Sequence, residues 1–355
     1  MKLTSTEPRN YKWWMCIIMY GFFVIFGQSA STLLGRLYYD KGGKSIWVAT
    51  LAQLAGFPIL IPCYCLAPPK SCTKNGQIQQ PSALMLALIY FSFGICLAAY
   101  SLMYSIGLLH LPVSTFSLIC ASQLAFNALF SFFLHSQKFT PFIVNSLVLL
   151  TLSSTLLIFQ TDPASHNEVS KGQYAIGFLC TIGASAGYGL MLSLTQLSFK
   201  KLLKGETHAK VFEMAIYQSL VATSSAIVGL FTSGEWKGLS REMEEFKLGK
   251  FSYAMTLIET AIASQFFIVG AIGLIFEVSS LFSNAISVLG LPVIPILAVI
   301  FFNDKMDAIK AIAMVLALWG FVSYVYQCYL DNKSSKSEYR SSSEFSKSPL
   351  LEEAS

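Results

Sequence analysis

Apolar runs of about 20 residues, divided by short polar stretches, recur along the whole chain. A helix of that length, rising 1.5 Å per residue, crosses the ~30 Å of hydrocarbon in a bilayer. The runs are Trp14 to Leu34, Ile46 to Leu66, Ala83 to Ile106, Leu111 to Leu134, Phe142 to Phe159, Tyr174 to Leu194, Val211 to Thr232, Tyr253 to Phe276, Val278 to Phe302 and Ala308 to Leu330. They predict an all-α integral membrane protein of ten transmembrane helices. Strands are disfavoured because the runs lack period-two alternation and are twice the ~10 residues a membrane strand needs. The thinnest separations, Gly107 to His110 and the surroundings of Glu277, leave nine or eleven spans as alternatives. Pro58 with Pro62, and Pro292 with Pro295, are expected to bend the second and ninth helices.

The first and sixth runs echo each other. Gly21, Phe22, Gly27, Ser29 and Ala30 recur as Gly177, Phe178, Gly183, Ser185 and Ala186, at one offset of 156. Two copies of five helices insert with opposite topology because five is odd. The expectation is therefore two inverted five-helix halves, at 13–164 and 173–330, joined through 165–172. A short segment, 1–12, precedes them. The Ser-, Lys- and Glu-rich stretch 331–355 is expected to be a disordered tail.

Charge agrees with a membrane location. The 355 residues hold 24 Lys and Arg and 19 Asp and Glu, 12% in all, about half of the ~25% in soluble domains. Mean hydropathy is +0.58, which rules out an ordinary soluble enzyme. From Asn75 to Gln137 there is no formal charge, and no basic face of the kind a nucleic acid requires. Counted on alternate sides of the spans, Lys and Arg divide 14 to 10 in favour of the side holding both termini, which places both in the cytoplasm. The eight cysteines mostly lie in or beside apolar runs and read as small buried hydrophobes. Cys63 and Cys65 lack the spacing and second ligand pair of a metal site, and no phosphate loop or nucleophile elbow occurs. Neither a metal nor a cofactor is expected.

Polar groups inside the spans are the candidates for chemistry. A charged side chain costs about 2.5–3.5 kcal/mol at the centre of a membrane helix. Glu259 stands alone in the eighth run, and facing a dry cavity it could take up and release a proton. Its alternative is a structural hydrogen bond to a neighbouring helix. Gln28, Gln53, Gln123, Asn127, Gln218, Gln265 and Asn284 are uncharged amides within runs. Gln123 and Asn127 share one face of the fourth helix, and Asn284 shares a face of the ninth with Ser280 and Ser287. Any one amide can instead serve an interhelical hydrogen bond of about 1 kcal/mol. Tyr100 and Tyr104, four apart, face together on the third helix.

Two blocks carry a family likeness. Gly35-Arg36-Leu37-Tyr38-Tyr39 with Gly42-Gly43, Ser45, Trp47, Thr50, Gln53, Gly56 and Pro58 resembles the start of the plant purine permeases. Leu111 to Ile119, continuing through Gln123 to Ala128, resembles that family's most recognisable helix, and the likeness runs from about Trp13 to Tyr329. The resemblance implies a member of the drug/metabolite transporter superfamily, moving purine bases such as adenine or cytokinins with protons by alternating access. It implies a central cavity among helices one, three, four, six, eight and nine. Gln28, Gln123, Asn127 and Asn284 are then candidates to pair with a base edge. Tyr100 and Tyr104 are candidates to stack on it, and Glu259 to couple protons. The plasma membrane is the expected location, with the tonoplast or endoplasmic reticulum as alternatives. An alkaloid or vitamin is the alternative cargo. A membrane receptor or enzyme is the alternative class.

Overall fold

A computed structural model describes residues 9–66, 82–135, 171–201, 208–291 and 293–302, with scattered positions from 141 to 152 and from 307 to 327. Its helices are α1 (Arg9–Asp40), α2 (Ile46–Leu54), α3 (Leu60–Leu66), α4 (Ala83–His110), α5 (Val113–Cys120), α6 (Gln123–His135), α7 (Lys171–Lys201), α8 (Ala209–Ser233), α9 (Leu239–Glu245), α10 (Gly249–Glu277), α11 (Ser280–Gly290) and α12 (Val293–Phe302). No strand occurs among the described residues.

Seven segments among them are long and apolar enough to cross a membrane, and they correspond to the first four and the sixth to eighth apolar runs. The ninth run holds α11 and α12, which part at Leu291 beside the expected proline bend. Most of the fifth and tenth runs, the connection up to residue 170, the first eight residues and the tail lie outside the described residues. Residues 171 and 172 already belong to α7.

The second run breaks between α2 and α3 through a 3-10 turn at Phe57–Ile59. Pro58 has no N–H to give the Leu54 carbonyl. Gln265 Nε2 of α10 supplies the missing donor at 3.3 Å. The fourth run also breaks, at Ala121 and Ser122, where the backbone tightens to i→i+3 bonds. No proline or glycine marks that break.

Close helix approach holds the bundle together. α1 packs along α10, α4 and α6 lie on α7, and α11 sits between α1 and α6. A Cβ on Gly27 would stand 2.6 Å from the Ala263 carbonyl oxygen, and one on Gly270 2.7 Å from that of Tyr20. Small residues thus let the two backbones touch, the usual device where lipid supplies no hydrophobic drive between helices.

Candidate functional site

A cavity of about 100 Å³ opens among α1, α2, α4, α5, α7, α10 and the start of α6. That is several times the ~10–15 Å³ needed by one water, so the space suits a small organic molecule. Among the described residues its lining carries no charged side chain.

One wall is aromatic. Tyr100 meets Tyr104 at 6.1 Å and Tyr188 at 5.8 Å between ring centroids, both edge to face. Tyr104 meets Phe116 at 5.8 Å, again edge to face, and Tyr188 stacks on Phe267 at 5.7 Å. The i, i+4 spacing of Tyr100 and Tyr104 on α4 sets the first pair. Such a wall presents both faces and edges to a planar ring.

The other wall is a chain of neutral hydrogen bonds. Ser287 Oγ donates to Gln28 Oε1 at 2.7 Å and accepts from Gln123 Nε2 at 2.9 Å. The Tyr104 hydroxyl lies 3.5 Å from both Gln123 Oε1 and Ser185 Oγ. The buried Tyr188 hydroxyl approaches Ser287 without completing a hydrogen bond. Gln53 Nε2 is held by Ser105 Oγ at 3.0 Å, and Ser31 pairs with Ser264 at 2.7 Å. Gln28 Nε2 has no partner among the described residues.

Four of the residues singled out in the sequence therefore meet at the cavity: Gln28, Tyr100, Tyr104 and Gln123. Asn127 and Asn284 do not line it. Both are fully buried between helices. Asn127 Nδ2 donates to the Ser280 carbonyl at 3.1 Å, and its Oδ1 accepts from Ser193 at 2.8 Å. Asn284 Nδ2 donates to the Gln123 carbonyl at 3.0 Å. These amides tie α6, α7 and α11 together, the interhelical role open to any such side chain. The shared face with Gln123 misled because Asn127 lies a full turn further along α6.

Glu259 is not at the cavity either. It is exposed, beside the half-exposed Ile258, while Thr256, Thr260 and Ala263 are buried. The inner arc of α10 runs through Thr256, Thr260, Ser264 and Phe267. One residue before Thr260 is about 100° around the helix, enough to turn Glu259 outward.

Tyr188, Phe267, Gln53, Ser31, Thr32 and Ser264 line the cavity without having been assigned to it. Phe267 carried no signal in the sequence, being one of 28 phenylalanines in an apolar chain.

Both ends of α1 are tied to the second half of the sequence. At its start, Tyr20, His208 and Glu277 are linked at 3.4 and 3.5 Å. With Cys16, the His and Glu atoms lie within 4.8 Å of one another, a set able to approach a metal ion, although the hydrogen bonds already account for the arrangement. At the other end, Glu242 of α9 is buried and accepts from Tyr38, from Tyr253 at 3.1 Å and from the Ser45 backbone N–H at 3.2 Å. Glu235 accepts from Ser45 Oγ and, at 3.2 Å, from the Trp47 N–H. Lys44 and Arg241 bind Glu245 at 3.4 and 2.6 Å, and Arg241 holds that carboxyl below the usual carboxylate range.

Comparison with known proteins bears on what this cavity carries. The family profile for purine nucleobase transmembrane transport matches residues 15–334. Probable purine permease 10 of Arabidopsis thaliana is 56% identical over 334 residues, 94% of this chain and 86% of that one. Purine permease 21 of the same plant is 57% identical over 331 residues, 93% of this chain and 85% of that one. Probable purine permease 13 is 46% identical over 332 residues, 94% of this chain and 90% of that one.

Proposed function

The chain belongs to the purine permease family, multi-pass membrane transporters of nucleobases rather than enzymes, and from that premise we propose that it moves adenine or cytokinin-like purines, together with protons, by alternating access. The observation that carries the reading is the cavity itself, with rings on one wall and neutral amides on the other. A base stacked on an aromatic ring gains ~1–3 kcal/mol. An amide pairs bidentately with an adenine edge, and Gln28 and Gln123 supply two within reach of one space. The uncharged lining argues against nucleotide cargo, whose phosphates call for Arg or Lys.

In this cycle Tyr100, Tyr104, Tyr188 and Phe267 grip the ring plane, while Gln28 and Gln123 read its edge. The broken helices leave short segments free to tilt about the cavity. Both termini lie in the cytoplasm, and the protein resides in the plasma membrane.

Uptake of labelled adenine by a host lacking its own purine uptake tests the reading. Uptake should rise at acidic external pH, and unlabelled cytokinin should compete better than alkaloids or vitamins. Displacement by one of those at far lower concentration would move the cargo elsewhere. Absence of adenine uptake by protein present at the cell surface would refute the proposal.

A further inference from the structure

The polar joint at the far end of α1 has a chemistry of its own. It binds the α1–α2 loop to the α8–α10 connection, through Glu242, Glu235 and a backbone bond from the Lys247 N–H to the Lys41 carbonyl at 2.9 Å. Glu242 is only 8% exposed, yet no cation comes within 4.0 Å of it or of Glu235 among the described residues. The nearby cations are engaged elsewhere, Lys44 and Arg241 with Glu245, and Lys250 with Glu244. Tyr38 and Tyr39 of α1, Tyr253 of α10 and the second carboxylate, Glu235, are the titratable groups that face Glu242.

We propose that Glu242 is a proton-responsive latch. Ionised, it holds the α1–α2 loop on α9 and closes the cavity toward that face; protonated, it lets the two separate. An ionised carboxylate only accepts hydrogen bonds, and the three partners of Glu242 all donate. A proton on Oε2 would oppose the Ser45 N–H, which has no way to become an acceptor. A proton on Oε1 would oppose two hydroxyls, and Tyr38 has another acceptor in the Ser45 carbonyl at 3.2 Å. Either site sacrifices charge-assisted bonds, roughly twice as strong as neutral ones. Glu245 is not the sensor, because Arg241 keeps it ionised in mild acid.

The location fits a gate. Tyr38 lies ten residues along α1 from Gln28, about 15 Å in a helix. Releasing the end of α1 frees the element that carries one wall of the cavity. With the termini in the cytoplasm, this end faces outward, the side from which acid would arrive. The role in transport rests on the proton-coupled, alternating-access reading above, whereas the latch itself can be measured without cargo.

The experiment places unnatural-amino-acid spin labels at positions 41 and 240 of the full chain, on the two sides of the joint and outside its ion pairs, in liposomes without purine. Their separation should widen as pH falls from about 7 to about 4, because the contribution of a carboxylate held by donors in its ionised form is lost only below about pH 5. Glu242→Gln, which carries no charge, should show the wide separation at both pH values. Tyr253→Phe removes one donor from the ionised form, so its opening midpoint should move up by about one pH unit. A fixed separation in the native protein, or a native response in Glu242→Gln, would overturn the latch. Should Glu242→Gln not fold, an unshifted midpoint in Tyr253→Phe overturns it equally. A moving joint without purine uptake would leave the latch standing and remove the transport reading; acid-stimulated uptake with an unmoving joint would do the reverse.

Discussion

Tyr188 and Phe267 stack on each other at the cavity wall, at 5.7 Å. Loss of one stacking ring is worth ~1–3 kcal/mol, so Tyr188→Ala or Phe267→Ala should raise the half-saturation concentration for adenine roughly 5- to 150-fold. Initial-rate uptake over a concentration series measures it. Asn127→Ala should act differently, removing its buried bonds to Ser193 and to the Ser280 carbonyl at a cost of about 1–3 kcal/mol. A lower melting temperature in detergent with little change in half-saturation would identify that role. The pair of Tyr100 and Tyr104 was readable from spacing alone, since four residues on a helix return to one face. Amides were only half readable, because a base-pairing amide and a helix-tying amide have the same composition and the same periodicity. Which one an amide is depends on how far along the helix the cavity extends, and no local pattern encodes that.

At the scale of elements, glycine sets how near α1 comes to α10. Gly27→Ala would push a methyl against the Ala263 carbonyl oxygen at 2.6 Å, a backbone atom that cannot rotate away. The expected result is a marked fall in folded protein, checked by monodisperse yield after solubilisation, with Gly234→Ala as a comparison that meets no neighbour within 4 Å but is strained by its positive φ. Apolar runs near 20 residues identified most spans, because membrane thickness fixes the length that a helix needs. Prolines located the second break, since a missing N–H has to be answered by something, here Gln265. The break at Ala121 and Ser122 carries no such mark. It is stabilised by tertiary bonds, including the one from Asn284 to the Gln123 carbonyl, which involve residues far away in the chain.

For the whole molecule, α1 is the common thread, tied at one end through Tyr20, lining the cavity at Gln28 and Ser31, and latched at the other end through Tyr38. Glu259 has no place on that path. Glu259→Gln should therefore keep both the half-saturation concentration and the pH dependence of uptake, read from rates across a pH series. Isolation in an apolar run drew attention to this carboxyl, whereas Glu242 lay among other charges in a connection that reads as solvated. Only the fold shows that Glu242 itself is buried against Tyr38 and Tyr253. The most direct measurement is labelled adenine uptake by purified protein in sealed liposomes with an inward acid gradient. The account predicts accumulation above the external concentration, collapsing when a protonophore dissipates the gradient; filling only to equilibrium, unaffected by the gradient, would contradict it.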